Sequence, residues 1–361
     1  MLGPDGQLPL PWLAPLLRLT LATQRAHALL LYGPQGVGQF ELAIALAQAW
    51  LCEAAEADVQ PNSRPCGVCA SCRLVQAHSH PDMLVLLPEA LQEPLGWARA
   101  DDEGAPERAS KSKTPSKEIK VEAVRTAVSF AQTTSARGRV KVVVLYPAER
   151  MNAVSANTLL KTLEEPPGNA RLLLGCAAPD ALLPTIRSRC QSVPMAVPPV
   201  ELATAWLAGQ GVAEPALMLA AAGGQPQEAL EWTKQGIDAA LWLRLPTLVA
   251  QGLSASVGGW PLARVVEALQ KLCHDAACIA AGAAPRYFPA ASIRSGAQPA
   301  ALAAWMRELN RVARHAEHPW NAGLMVESLV QQGQRALAVG ASPAGVRPAS
   351  AKRSGSVHSS A

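Results

Sequence analysis

The sequence is poor in aromatic residues and in charge. Phe, Tyr and Trp make up 4% of its 361 residues, and Asp, Glu, Lys and Arg make up 17%, against roughly 25% charged residues in an ordinary soluble domain. The apolar share is 49%, mostly Ala, Leu and Val. That excludes a globally disordered chain, which combines low hydrophobicity with high net charge. It favours helices, because Ala and Leu are among the best helix formers. The positive surplus is only +4, whereas a nucleic-acid coat concentrates a larger one on one face or helix. Three of those four charges, Arg347, Lys352 and Arg353, sit in an acid-free C-terminal stretch, leaving +1 for the rest. No run reaches the ~18 uncharged apolar residues of a membrane span. The opening MLGPDGQLPLPWLAPLL has no Lys or Arg before its apolar part and carries Pro9, Pro11 and Pro15, so it makes a poor secretory leader. The expectation is a cytoplasmic protein whose eight cysteines stay reduced.

The length suits two to three domains of about 150 residues. Residues 28–32 (ALLLY) read as an apolar strand, followed by a glycine loop and an Ala/Leu-rich helix over 40–51. MLVLLP (83–88), RVKVVVLYP (139–147) and RLLLGCA (171–177) read as three further strands. Between them, Val121, Val124, Val128 and Ala131 recur at helical spacing. A helix over 153–165 is stopped by Pro166 and Pro167. Alternating strands and helices imply an α/β domain with a parallel sheet covered on both faces. Residues 92–117 carry five acidic and five basic residues with Pro, Ser and Gly and no apolar period, the pattern of a mobile insertion. After the Pro-rich 193–200 the chain turns almost wholly helical. The expected division is an α/β domain over 1–197, a small helical unit over 198–240, a larger helical domain over 241–337 and a disordered tail over 338–361.

GPQGVGQF (33–40) has the spacing of a phosphate-binding loop, G-x-x-x-x-G-K-[ST]. In that motif backbone N–H groups cradle phosphates, the Lys reaches the β- and γ-phosphates and the hydroxyl ligates Mg²⁺. Here Gly33, Gly36 and Gly38 keep the turn, but Gln39 stands at the Lys position and Phe40 at the Ser/Thr position. The strand that should end in an acid ends Val144-Leu145-Tyr146-Pro147, and the next acid is Glu149. With lysine, hydroxyl and acid all missing, the loop is read as a feature of the fold and not of hydrolysis.

Cys66, Cys69 and Cys72 stand three residues apart, and Cys52 follows the helix after the glycine loop. Zn²⁺ favours four thiolates in a closed structural site, so these four are the expected ligands. His78 and His80 are possible substitutes for one of them. A closed set leaves no position for a catalytic water. Cys176, Cys190, Cys273 and Cys278 are scattered and read as packing residues. His80-Pro81-Asp82 matches a chaperone-stimulating tripeptide but stands at a strand start, so that reading is set aside. Glu164 and Glu165 are adjacent on a helix and point about 100° apart, which argues against a paired acid–base site.

A lone Arg is usually a solvated surface charge. In TIRSRCQSV (185–193), however, Arg189 follows the fourth strand of a chain without phosphate chemistry of its own. Arg suits bidentate contact with phosphate and can act on a neighbouring subunit's nucleotide.

Taken together, GPQGVGQF, the four cysteines, ANTLLKTLEEPPG (156–168), IRSRC (186–190) and HPWNAGLMVESL (318–329) resemble bacterial clamp loader subunits, over about residues 8–335 apart from 92–117. The resemblance implies an AAA+ module, a helical lid and a C-terminal helical collar that assembles a five-subunit ring. ATP-binding members end the loop in Gly-Lys-Thr/Ser and the strand in Asp-Glu, carry Thr or Asn after the fourth strand, and have a lid arginine after Gly-Ser. The matching positions here are Gln39 and Phe40, Tyr146 and Pro147, Cys176, and Gly223-Gly224-Gln225-Pro226-Gln227. The implied role is that of a non-hydrolysing, stator-like subunit at the replisome, with structural zinc and no ATP hydrolysed in cis. Arg189, flanked by Ser188 and Cys190, would act in trans. The implied partners are the motor (gamma/tau) and delta subunits and, through the complex, the sliding clamp and primed DNA, the latter held by its backbone. An active motor ATPase is the alternative. A free zinc-dependent nucleic-acid-binding protein, binding DNA in a salt-sensitive way as a monomer, is a third.

Overall fold

The computed structural model describes residues 3, 7–54, 64–98, 115–294, 296–315 and 321–338. The chain divides into two units, Met1–Ile237 and Asp238–Ala361. The core of 92–117 (residues 99–114) and nearly all of the tail expected over 338–361 lie outside the described residues.

The first unit is built on strands β1 (Ala28–Tyr32), β2 (Met83–Leu86), β3 (Lys141–Leu145), β4 (Ala170–Cys176) and β5 (Gln191–Pro194). All pairings are parallel, in the order β2-β3-β4-β1-β5. Leu30 faces Leu174 and Ser192, and Val143 faces Leu84 and Leu172. Side chains alternate between the faces of a strand. Leu29, Leu31, Val142, Val144 and Leu173 therefore fill one core, with α1 (Leu13–Thr23) and α2 (Gln39–Leu51). Ala28, Leu30, Val143, Leu145, Leu172 and Leu174 fill the other, with α5 (Val121–Gln132), α6 (Ala153–Glu164) and α7 (Pro184–Arg187). Burial on both faces is why these strands read as continuous apolar runs. The short helices α3 (Ala70–Gln76) and α4 (Glu89–Gln92) flank β2.

Two elements depart from the sequence reading. The fourth expected strand is not the last: β5 adds an edge whose residues Gln191, Ser192 and Pro194 are exposed and only Val193 is buried. The end of the stretch examined as a leader, from Leu13 on, begins α1, with Leu13, Leu17 and Thr20 buried. Three helices complete the unit: α8 (Val200–Gly209), α9 (Pro215–Ala221) and α10 (Pro226–Lys234). Trp206 of α8 donates to Pro9 O at 2.9 Å and meets Trp12 edge-on at 5.4 Å.

The second unit contains α11 (Ala239–Ala250), α12 (Leu262–Ala280), α13 (Pro299–Arg314) and α14 (Ala322–Leu337). Trp242 and Trp305 are fully buried, and both satisfy their indole N–H, on Tyr287 O and Leu329 O. Gly333 lets α14 lie against Trp305, since a Cβ there would come within 2.5 Å of the indole. Among the described residues no helix is long and apolar enough to cross a membrane.

Candidate functional site

The glycine loop joins β1 to α2 at the carboxyl end of the sheet, where parallel α/β folds place ligands. Gly36 and Gly38 hold φ of +74° and +104°, a region that L side chains avoid. The loop is packed against other parts of the same unit. Gln39 is 1% exposed and turns back, its amide donating to Gly33 O at 2.8 Å and Pro34 O at 2.7 Å. Leu10 and Leu13 close over Gly38, within 3.0 Å of where a Cβ would stand. Met195 O lies against Gly33, and the start of α10 lies against Gly36, with Gln227 N–H directed at Gly36 O (3.4 Å) and the Gln227 side chain on Glu41.

Phe40 adds an aromatic wall. Its ring lies 5.4 Å from Tyr146 and 6.1 Å from Trp97, and His78 stacks on Trp97 at 3.9 Å. Burial and the carboxylates of Glu41, Glu149 and Glu228 push the Tyr146 phenol well above its ordinary value. Trp97 belongs to the stretch expected to be mobile, yet its indole packs against the core and its backbone N–H donates to Gln92 O at 2.8 Å. Glu149, the first acid past β3, spends one oxygen on Ala177 N at 2.9 Å; the other is buried with no partner among the described residues. Cys176, beside it, is pushed up to about 12 by burial and by that carboxylate.

The four cysteines converge. The Sγ atoms of Cys52, Cys66, Cys69 and Cys72 all lie within 4.8 Å of one another. Two separations are 3.9 Å (Cys66 to Cys72) and 4.0 Å (Cys69 to Cys52). A zinc tetrahedron with Zn–S bonds of about 2.3 Å has edges of about 3.8 Å. Backbone N–H groups of Cys66, Cys69 and Cys72 aim at the sulfurs of Cys52, Cys66 and Cys69 at 3.4 to 3.5 Å, which favours thiolates. The Cys72 thiol beside Cys52 helps hold the Cys52 thiol down to about 4, while Cys72 itself is pushed far up by Cys52 and by burial. Neither histidine joins the set: His80 bonds Ser71 Oγ and accepts from Asp82 N, and His78 is on Trp97.

Arg189 follows α7 and its side chain is 31% exposed. Its Nε donates to Glu164 Oε1 at 2.6 Å and its Nη2 reaches the same oxygen. Its Nη1 donates to Thr185 O at 2.9 Å. Sequence reasoning treated Glu164 as an ordinary helix end and missed this partnership. The available signal was an acid in the last helical turn, where the helix dipole disfavours it.

A second group, His274, Asp275 and Cys278, lies on α12. Asp275 is fully buried and accepts from the N–H groups of Arg286, Tyr287 and Phe288 and from His274. Its lone pairs are spent on holding that loop, which is a structural task.

Residues 13–199, just over half of the chain, match the family model described as "DNA polymerase III, delta subunit". The chain is 39% identical over 218 residues to DNA polymerase III subunit delta' of Pseudomonas aeruginosa, covering 59% of this chain and 58% of that protein. It is 33% identical over 228 residues to the subunit delta' of Escherichia coli K12, covering 61% and 59%. To DNA polymerase III subunit tau of the same organism it is 32% identical over 164 residues, covering 45% of this chain and 20% of that one. The matches thus span less than two thirds of the length of these relatives.

Proposed function

The chain belongs to the DNA polymerase III delta subunit family, and we propose that it serves there as a non-hydrolysing, stator-like clamp loader subunit that acts on its neighbour's nucleotide instead of its own. The observation that carries this is the glycine loop, altered at its chemical positions and packed against the rest of the unit. A phosphate cradle needs free N–H groups and space; here Gln39 binds back onto the loop's own carbonyls, and Leu10, Leu13 and the start of α10 pack tightly against its glycines. Phe40 and Tyr146 stand where a metal-binding hydroxyl and an acid would be required. Arg189 remains partly exposed on a short turn, suited to a phosphate on a second subunit.

Zinc fits the four thiols. Cys52, Cys66, Cys69 and Cys72 would hold it, the edge lengths suit it, and the N–H groups on the sulfurs supply the outer support such sites use. Bound metal would supply cross-linking alone, since the protein donors complete a closed set. The module so fixed starts at the end of α2 and includes α3.

In the assembly, this chain would contact the motor (gamma/tau) and delta subunits in a five-membered ring and, through them, the sliding clamp and primed DNA. Two measurements test the reading. Equilibrium titration of the full chain with Mg·ATP should show no micromolar binding; tight binding with steady turnover would instead favour a motor subunit. Reconstitution with motor and delta subunits should give a complex whose ATPase rate falls on Arg189→Ala. An unchanged rate removes the trans role.

A further inference from the structure

We propose that Glu164 is the positioning residue for the arginine that this chain presents to a neighbour's nucleotide. The inference rests on the trans reading of Arg189 and extends it.

The two residues come from separate elements that share one core. Glu164 is the last residue of α6, which is anchored by Leu159 and Leu163, each 1% exposed. Arg189 sits between Ile186 (0%) and Cys190 (8%). All four anchors belong to the same buried cluster, so the two backbones are fixed relative to each other before the side chains meet. The chain beyond Glu164 turns away at Pro166 and Pro167, whose rings end the helix there and keep the carboxylate at its tip.

The contact orients as well as attracts. Nε and Nη2 both donate to Glu164 Oε1, and Nη1 donates to Thr185 O at 2.9 Å, with Ser188 Oγ at 3.5 Å. A planar guanidinium tied on three nitrogens has its plane and direction defined. Of its five N–H groups, one on Nη2 has no partner in this arrangement. A flexible Arg would instead lose rotamer freedom when it met a phosphate, and that loss weakens the contact. Exposed ion pairs add little to stability, and Glu164 is 47% exposed. The pair therefore serves direction more than folding. An acid at a helix C-terminus opposes the dipole, so the guanidinium also offsets an otherwise unfavourable carboxylate.

The test uses the full chain reconstituted with its motor and delta neighbours, reading kcat and KM for ATP. Four variants are compared: Arg189→Ala, Glu164→Ala, Glu164→Gln and the double Arg189→Ala/Glu164→Ala. Glu164→Ala should cut the Arg189-dependent part of kcat by about three- to tenfold, since small misplacements of a catalytic group are costly, with KM unchanged. Glu164→Gln, which keeps an acceptor, should restore part of it. The double variant should match Arg189→Ala alone, and the melting temperature of the free chain should not move. The proposal is overturned by a Glu164→Ala rate equal to or above the parent while Arg189→Ala is slow. It is also overturned by a further loss in the Arg189→Ala background, or by a change confined to KM. If Arg189→Ala itself leaves the rate unchanged, the trans reading falls first and takes this inference with it.

Discussion

Asp82 offers a prediction whose size can be worked from the structure. It stands in the turn just before β2 and is fully buried. Oδ1 accepts from Ala136 N at 2.7 Å and lies 3.4 Å from Lys141 Nζ; Oδ2 accepts from Arg137 N at 2.9 Å and Ser135 Oγ at 3.0 Å. Lys141 is 9% exposed and its other support is the Phe130 ring, 4.1 Å away. Asp82→Asn keeps the shape and removes the charge. One of its two terminal atoms becomes an NH₂ group that faces N–H donors. The Lys141 ammonium is left buried without a counter-charge. Breaking a buried pair from one side costs about 3–5 kcal/mol. For a unit of this size each kcal/mol is worth about 2–4 °C, so the first unfolding transition should fall by about 6–20 °C.

The same group sets a pH dependence. Burial opposes its charge, but the donors from Ala136, Arg137 and Ser135 and the Lys141 ammonium outweigh it and hold its pKa below the ordinary value. A depressed folded value means the unfolded chain takes up the proton first. The Asp82 contribution is complete above the unfolded carboxylate value of about 3.9 and is lost as pH falls below it. Denaturant unfolding of the parent and of Asp82→Asn should therefore converge as pH drops towards 3. A loss under about 1 kcal/mol at pH 7, or a gap that does not narrow in acid, refutes the account. Removing both charges with Asp82→Asn/Lys141→Met should recover part of the loss, because an empty buried pair is cheaper than half of one.

Other outcomes follow from the remaining sites. Metal analysis should give about one equivalent of zinc per chain; Cys69→Ser should lose it, and chelators should lower the melting temperature of the parent but not of the variant. Gln39→Lys combined with Phe40→Thr restores the letters of the phosphate motif, yet calorimetry should still show no tight Mg·ATP binding, since Leu10 and Leu13 remain over Gly38. Gly333→Val should cost about 1–3 kcal/mol or more through overpacking against Trp305 and Val249, seen as an earlier thermal transition.

Much of the sheet was legible because its strands are buried on both faces. Leu29 to Leu31 and Val142 to Val144 leave no polar residue for an alternating pattern, and such runs between helices read as a parallel sheet. The cysteines were legible because spacing alone brings three thiols to one turn, with Cys69 capping α3 through its own sulfur. β5 was not, since an edge strand reading Gln-Ser-Val-Pro carries one buried side chain and no period. Asp82 was dismissed as part of a tripeptide because its partners lie more than fifty residues away. Glu164 was passed over because an acid at a helix end looks ordinary until Arg189 arrives from 25 residues on.

The glycine loop shows why a motif read letter by letter reports too little. Substituting Lys and Ser/Thr removes a charge and a metal ligand, and that alone would leave an empty cradle able to hold a phosphate weakly on its N–H groups. Other parts of the chain also pack against this loop: Leu10 and Leu13, Met195 from beyond β5, Gln227 and Glu228 from α10, and Tyr146 from just past β3, against Phe40. Leu10 and Leu13 are apolar, and the Gln227 and Glu228 side chains already bond Glu41 and Trp232. Reopening the cradle would expose Leu10 and Leu13, which are 2% exposed, at about 25 cal/mol per Å² of apolar surface. It would also strand the Gln39 amide or the two carbonyls it serves. A ligand would have to offset all of these together, whereas the altered motif letters account for only two positions. On the proposed reading, the barrier to nucleotide is spread through the fold of the first unit, and no single reversion is expected to undo it.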